Sequence, residues 1–213
     1  MRGGVVVFDL DKVLLGGDAT TLFLHGRLRR SPGRLAPLLL AAPLLAPGAV
    51  VPQLRPLATR AMTRLAVGGR GDSDVEAVAE AYEEALTRKP EAAVAEAIAC
   101  LAADRADGDL VVVATGCEEV LARGYLRAIG LGELDVVGST GAIPPRRAIG
   151  EAKVELLIER GWPPPWRAVY SDSVSDLPLF AGTPRPVLVN AGEDDARTVE
   201  RVLGRRPELV SWR

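Results

Sequence analysis

Four short and almost uninterrupted apolar segments constrain what this chain of 213 residues can fold into. They are Val5–Phe8, Leu110–Ala114, Ala168–Tyr170 and Pro186–Val189, and Leu134–Val137 is a weaker fifth. Strands that are apolar on both sides are typical of parallel sheets that helices cover on both faces. These segments therefore predict the buried strands of an α/β sheet.

Helical patterns lie between and after the apolar segments, and glycines follow several of them directly. The patterns cover Pro90–Ala103, Glu118–Ile129, Glu151–Arg160 and Asp194–Leu203. Gly130 and Gly161 stand at positions where glycine commonly ends a helix. The alternation of strand and helix predicts a doubly wound, Rossmann-like parallel sheet. In such a sheet the ligand site lies beyond the carboxyl ends of the strands.

The segment from Asp18 to Thr87 interrupts this alternation. It contains helical patterns and no convincing strand, which favours a helical insertion after the first strand. We therefore expect an α/β core made of residues 1–17 and 88–213, and a helical domain made of residues 18–87.

An uncharged apolar segment, Leu35–Leu54, lies inside this predicted insertion. It is long enough to suggest a membrane span, but four prolines count against a continuous helix because each removes a backbone donor. One interpretation is a pair of proline-broken helices. The other is a patch that rests on a membrane or lipid surface, since arginines flank the segment on both sides.

Charge and cysteine content exclude some classes of function. The net charge of −2 argues against nucleic acid as the main partner, because binding the phosphate backbone needs a basic face. Cys100 and Cys117 are too few for a disulfide framework, so a reducing, cytoplasmic location is the simpler expectation. The chain opens on a predicted buried strand and not on a secretory signal.

Two carboxylates, Asp9 and Asp11, follow the first predicted strand one residue apart. In an extended chain they project to the same side, and at ~4 Å their repulsion is roughly 4 kcal/mol for an effective dielectric of about 20. A hard divalent ion such as Mg²⁺ would relieve it. The alternative is a pair of carboxylates turned to solvent.

A second acidic group follows a later strand, in the sequence YSDSVSDLPLF. Asp172 and Asp176 bracket a turn where a helix could begin, and Ser173 stands at capping distance from Asp176. Capping would explain one acidic residue. Two of them favour a second source of metal ligands.

Thr115 and Lys153 add groups that suit a phosphate. Thr115 follows a strand and precedes Gly116 and a predicted helix start, an arrangement that binds anions, although simple capping is the alternative. Lys153 lies in the first turn of a predicted helix, where a cation is unfavourable unless it reaches an anion. A solvated surface lysine is the alternative there.

The order of these residues resembles the haloacid dehalogenase superfamily. Within it the chain is most similar to subfamily IB, the phosphoserine-phosphatase-like branch of hydrolases that carry a helical cap. FDLDKVLLGGD, VVVATG and GEAKVELL look like its first three motifs, and YSDSVSDLPLF with PVLVN looks like its fourth. The resemblance covers nearly the whole chain.

The resemblance implies a phosphatase that forms an aspartyl-phosphate. Asp9 would be the nucleophile and Asp11 the acid and base. Mg²⁺ would be held by Asp9, the backbone carbonyl of Asp11, and Asp172. The groups that hold the phosphoryl oxygens would be Thr115, Gly116 and Lys153, with Asp176 and Ser173 in support. The helical cap would close over the site and select the leaving group.

The first motif departs from the family pattern at two positions. Val13 replaces a threonine, and Lys12 replaces a glycine. Because a positive φ would disfavour lysine, we infer a permissive backbone at Lys12. We expect Lys12 to tune the site, for example by adding positive potential near the phosphate entry.

Several functions remain compatible with the sequence. The leading one is a Mg²⁺-dependent phosphomonoesterase for a small phosphorylated metabolite, such as a phosphoserine-like compound, or for a lipid phosphate. A catalytically silent binding or regulatory protein would have no reason to keep this residue set. A phosphotransferase could use the same aspartyl-phosphate. Oligomeric state is left open.

Overall fold

The computed structural model describes residues 3–30, 72–140 and 146–212, together with Gly33, Ala36 and Leu40. Most of the apolar segment Leu35–Leu54 lies outside the described residues, so neither interpretation of it is tested. Across the part of the chain that is described, no helix combines the length and apolarity that crossing a membrane requires.

The described strands form one parallel sheet of six strands in the order β3-β2-β1-β4-β5-β6. They are β1 (Val5–Phe8), β2 (Leu110–Glu118), β3 (Asp135–Ser139), β4 (Ala168–Ser171), β5 (Pro186–Val189) and β6 (Glu208–Val210). The order reverses between β1 and β4, as in a doubly wound fold. The predicted fold class is confirmed. Strand β6 was not predicted, because it is short and its residues are mostly exposed.

The described α-helices connect these strands or lie beside them. They are α1 (Ala19–Arg30), α2 (Asp72–Leu86), α3 (Ala95–Ala106), α4 (Glu119–Ala128), α5 (Glu151–Glu159), α6 (Leu177–Ala181) and α7 (Glu193–Leu203). Short 3-10 turns at Pro90–Ala92 and Val174–Asp176 precede α3 and α6. Gly130 and Gly161 follow helices with φ of 79° and 87°, as their positions predicted.

The register of the central strands decides which residues meet at the edge of the sheet. Phe8 of β1 lies opposite Val113 of β2 and opposite Tyr170 of β4. The rings of Phe8 and Tyr170 stack with centroids 4.3 Å apart. Residues that follow these three positions in the chain therefore emerge together at the carboxyl edge.

The chain divides into two compact units. The sheet unit comprises Met1–Asp18, Glu91–Glu119 and Glu133–Arg213, and the helical unit comprises Ala19–Pro90 and Val120–Gly132. The core of the sheet unit includes the buried side chains of Trp166, Leu157 and Phe180. The predicted division into a helical domain of residues 18–87 and a core of residues 1–17 and 88–213 stays a prediction.

Within the helical unit, α1 packs closely against α2. A β-carbon on Gly26 would come within 1.7 Å of the backbone oxygen of Ala81, so only glycine allows this approach. The Tyr82 hydroxyl donates a hydrogen bond to the Ala19 carbonyl at 2.8 Å. The ring of Tyr82 also meets Tyr125 edge to face, with centroids 5.4 Å apart. These contacts give the helical unit a core of its own.

Candidate active site

Asp9 follows β1 directly and is almost completely buried, with 8% of its surface exposed. Its backbone N–H donates to the Tyr170 carbonyl at 2.9 Å, and the Leu10 N–H donates to its Oδ1 at 2.7 Å. Burial raises the pKa of Asp9 to about 7; Lys153 opposes the rise, and the carboxyl groups of Asp176 and Asp11 add to it. For Asp9, the alternative of a solvent-facing carboxylate is therefore wrong.

Lys153 is the buried cation of this site. It is the third residue of α5, and only 3% of its surface is exposed. Its Nζ donates to Asp176 Oδ2 at 2.9 Å and lies 3.4 Å from Asp9 Oδ2. Burial lowers the pKa of Lys153, but the two carboxyl groups raise it more, so the net shift is upward. The alternative of a solvated surface lysine is wrong.

Asp176 turns inward and not toward the helix start. Its Oδ2 accepts hydrogen bonds from Lys153 Nζ and, at 2.7 Å, from the Ser171 hydroxyl. Ser173 caps the following turn by accepting from the Ser175 N–H at 3.1 Å. The expected capping pair of Ser173 and Asp176 is therefore wrong on the side of Asp176, because its carboxylate binds the buried ammonium and the Ser173 N–H donates to the Ser171 hydroxyl instead.

Ser171 is a site residue that sequence reasoning missed. It is the last residue of β4 and is fully buried. Its hydroxyl donates to Asp176 and accepts from the Ser173 N–H at 3.2 Å, so it links β4 to the turn after it. A buried strand that ends in a hydroxyl directly before an acidic group was the signal that could have revealed it.

Thr115 lies inside β2, fully buried, and not directly before a helix. The strand continues irregularly to Glu118, and α4 begins at Glu119, within one residue of the predicted helix start at Glu118. Thr115 Oγ1 accepts from the Cys117 N–H at 3.2 Å, an arrangement that leaves its O–H group as a donor. The Gly116 carbonyl accepts from the Ser139 hydroxyl at 2.8 Å, which holds this strand end in place.

Lys12 contacts Asp172 at the outer side of the site. Its Nζ lies 3.1 Å from Asp172 Oδ2; the Lys12 side chain is 69% exposed and that of Asp172 is 16% exposed. This hydrogen bond is the main cause that raises the pKa of Lys12. Lys12 has φ of 58°, in the left-handed region, so the inference of a permissive backbone is wrong. The position does favour glycine, and lysine occupies it nonetheless.

The donor groups fit a hard divalent cation. Four carboxyl groups (Asp9, Asp11, Asp172 and Asp176) belong to this cluster, against two ammonium groups (Lys12 and Lys153). Carboxylate and carbonyl oxygens are the ligands that Mg²⁺ prefers. No group of three or more His, Cys, Asp or Glu side chains that could hold a metal occurs among the described residues. The ligand set expected for Mg²⁺ is smaller than such a group, since it contains two carboxylates, Asp9 and Asp172, and the backbone carbonyl of Asp11.

Comparisons with known proteins agree with this fold. A family model described as haloacid dehalogenase-like hydrolase matches residues 6–181. Among curated proteins, a search found no match.

Solved structures with the same fold share little sequence with the chain. A protein of unknown function from Bordetella pertussis Tohama I is 20% identical with a TM-score of 0.58, and 99% of each chain is covered. A HAD family hydrolase from Salmonella enterica serovar Typhi is 13% identical with a TM-score of 0.55, covering 98% of this chain and 68% of that one. A phosphoserine phosphatase with an analogue of its phospho-aspartyl intermediate is 12% identical with a TM-score of 0.51, covering 98% and 93%.

Proposed function

This chain belongs to the haloacid dehalogenase-like hydrolase family, and from that premise we propose that it is a Mg²⁺-dependent phosphomonoesterase with Asp9 as its nucleophile. The observation that carries the proposal is the buried ammonium of Lys153, which lies between the carboxylates of Asp9 and Asp176. Burying three charged groups together is costly, and a structural role alone would be met more cheaply by apolar side chains. The arrangement is understandable if the ammonium also meets a phosphoryl group.

In the first step an Asp9 carboxylate oxygen attacks phosphorus, and the bond from phosphorus to the ester oxygen breaks. Asp11 donates a proton to that oxygen, so the product leaves as a neutral alcohol. The Leu10 N–H holds Asp9 Oδ1 at 2.7 Å, which keeps the carboxylate oriented. The products of this step are the alcohol and an aspartyl-phosphate on Asp9.

In the second step a water molecule attacks the same phosphorus, and Asp11, now a carboxylate, accepts its proton. The bond between phosphorus and the Asp9 oxygen breaks, which releases inorganic phosphate and restores the free carboxylate. Thr115 and Lys153 act in both steps as hydrogen-bond donors to the phosphoryl oxygens, together with backbone at Gly116. Thr115 is suited to this because its oxygen already accepts from Cys117.

The residues that would hold Mg²⁺ are Asp9, the carbonyl of Asp11, and Asp172. When bound, the ion neutralises charge on the carboxylates and the phosphoryl oxygens. Asp9 has a pKa of about 7 as the protein stands, so an adjacent cation would favour its ionised, nucleophilic form at neutral pH.

We consider two classes of substrate for this reaction. A small phosphorylated metabolite, phosphoserine-like in size, is the simplest substrate, and a lipid phosphate is the alternative because of the apolar segment Leu35–Leu54. The groups described above meet only the phosphate and the reacting ester oxygen, so they accept either class.

A phosphate-release screen tests the proposal. The purified protein is incubated with soluble phosphomonoesters and with lipid phosphates in vesicles, each with Mg²⁺ and with a chelator. We expect release with Mg²⁺ from at least one class and none with the chelator. Asp9→Asn should abolish release, whereas Asp194→Asn should not, because Asp194 is an exposed carboxylate of α7. Full activity of Asp9→Asn would refute the nucleophile assignment.

A further inference from the structure

Lys12 has a backbone conformation that lysine rarely adopts, and both its N–H group and its carbonyl group make hydrogen bonds. Its φ is 58°, where a side chain costs energy that glycine avoids. Its N–H donates to the Gly17 carbonyl at 3.3 Å, and its carbonyl accepts from Asn190 Nδ2 at 3.4 Å. Asn190 is in turn held by the Trp212 N–H, which donates to its Oδ1 at 2.8 Å. These hydrogen bonds fix the backbone at Lys12 and therefore the direction in which its side chain leaves the chain.

That direction leads to Asp172, with 3.1 Å between Nζ and Oδ2. An ion pair whose lysine is 69% exposed adds little to folding stability. It therefore does not explain a lysine at a position that favours glycine. Its main physical consequence is local, because it places a positive charge beside a carboxylate that is an expected metal ligand.

We infer that Lys12 competes with the divalent cation for Asp172 and thereby lowers the affinity of the site for Mg²⁺. The inference rests on the proposed function in one respect, that Asp172 is a metal ligand. In the metal-free protein the Lys12 ammonium neutralises Asp172. When a divalent cation binds Asp172, the flexible lysine stem must withdraw, or the two positive charges must remain close together. Both cost binding free energy.

The size of the effect follows from the charges. A single and a double positive charge about 5 Å apart repel enough, even at the dielectric constant of water, to weaken binding by roughly tenfold. Removing the lysine charge should therefore tighten Mg²⁺ binding by about that factor. Added salt should reduce the difference, because Lys12 is exposed and salt screens exposed charges.

The test is calorimetric titration of Mg²⁺ into chelator-treated protein without substrate. Lys12→Met removes the charge and keeps a side chain at the same left-handed position, and we expect its Kd to be roughly tenfold lower than that of the wild type. Lys12→Arg keeps the charge and should bind as the wild type does. Lys89→Met, at an exposed lysine of the helical unit, should also leave the Kd unchanged.

A second measurement guards against misfolded variants. Mg²⁺ raises the Tm of any protein that it binds only when folded, so a given rise in Tm should be reached at roughly tenfold lower Mg²⁺ concentration in Lys12→Met. Equal affinity of Lys12→Met and wild type, or weaker binding by the variant, would overturn the inference alone. Binding of Mg²⁺ to neither protein would overturn it together with the proposed metal requirement.

Discussion

The ammonium group of Lys153 lies 3.4 Å from the carboxylate of Asp9, although 144 positions of chain separate them. Both side chains are buried, and Lys153 also holds Asp176 at 2.9 Å. Charges buried at such distances interact more strongly than they would in water. Stability and activity should therefore depend on the same few atoms.

Replacing Lys153 with methionine should destabilise the protein and strongly reduce its activity. The variant keeps an unbranched side chain but leaves Asp9 and Asp176 buried without their cation, and removing one partner of a buried pair costs about 3–5 kcal/mol. Urea unfolding in the presence of a chelator measures this loss. Phosphate release should fall by roughly 10²–10³. Lys89→Met provides the matched control, and equal unfolding free energies of the two variants would contradict the prediction.

The stability of the metal-free protein should fall as pH rises. Burial holds the pKa of Asp9 at about 7 against an ordinary value of 3.8, so the folded protein retains a proton that the unfolded chain releases. The stabilisation is complete below about pH 4 and is lost as pH rises to about 7.

Asp9→Asn isolates this effect, because asparagine does not titrate. Relative to the wild type, the variant should gain on the order of 4 kcal/mol in unfolding free energy between pH 4 and pH 8. Chemical unfolding in a chelating buffer at a series of pH values measures the difference. A difference that stays constant with pH would show that Asp9 is not the titrating group.

Glycine should be better tolerated than methionine at position 12. Both variants lack the ion pair with Asp172, but only glycine adopts φ of 58° without strain. We expect Lys12→Gly to unfold with a free energy roughly 0.5–1 kcal/mol higher than that of Lys12→Met. The same two replacements at Lys89, whose φ is not positive, should show the opposite order, because glycine there only adds conformational freedom to the unfolded chain. Thermal unfolding of the four variants makes the comparison.

Ser171 should act as a positioning residue through Asp176. Ser171→Ala removes the hydroxyl that donates to Asp176 Oδ2 at 2.7 Å and leaves that carboxylate with one donor fewer in a buried site. Unfolding free energy should fall by about 1–3 kcal/mol.

Kinetics distinguish this positioning role from simple loss of stability. Well below the Tm of the variant, kcat should fall about tenfold with KM little changed, because Ser171 orients the partner of Lys153 and does not contact substrate. Ser211→Ala, at an exposed serine near the carboxyl terminus, should change neither value. An unchanged kcat for Ser171→Ala would leave Ser171 with a structural role alone.

Much of the fold was predictable because parallel strands buried on both faces have a simple pattern. Val5–Phe8 and Pro186–Val189 were predicted with the bounds that they have in the structure. Strand β6 was not predicted, because Glu208–Val210 is a short strand at the edge of the sheet and its mostly exposed residues show no apolar pattern. Strand β2 was predicted too short, since Gly116 and Cys117 continue it without an apolar pattern.

The sequence by itself determined which chemical groups follow the strands: the carboxylates of Asp9 and Asp172 and the hydroxyl of Thr115. The tertiary structure alone decided how they are paired, because pairing depends on distances between groups far apart in the chain. Burial and neighbouring charges set the pKa of Asp9. The left-handed backbone at Lys12 depends in part on Asn190, 178 positions away, whose side chain donates a hydrogen bond to the Lys12 carbonyl. The identity of residue 12 as lysine does not predict that conformation.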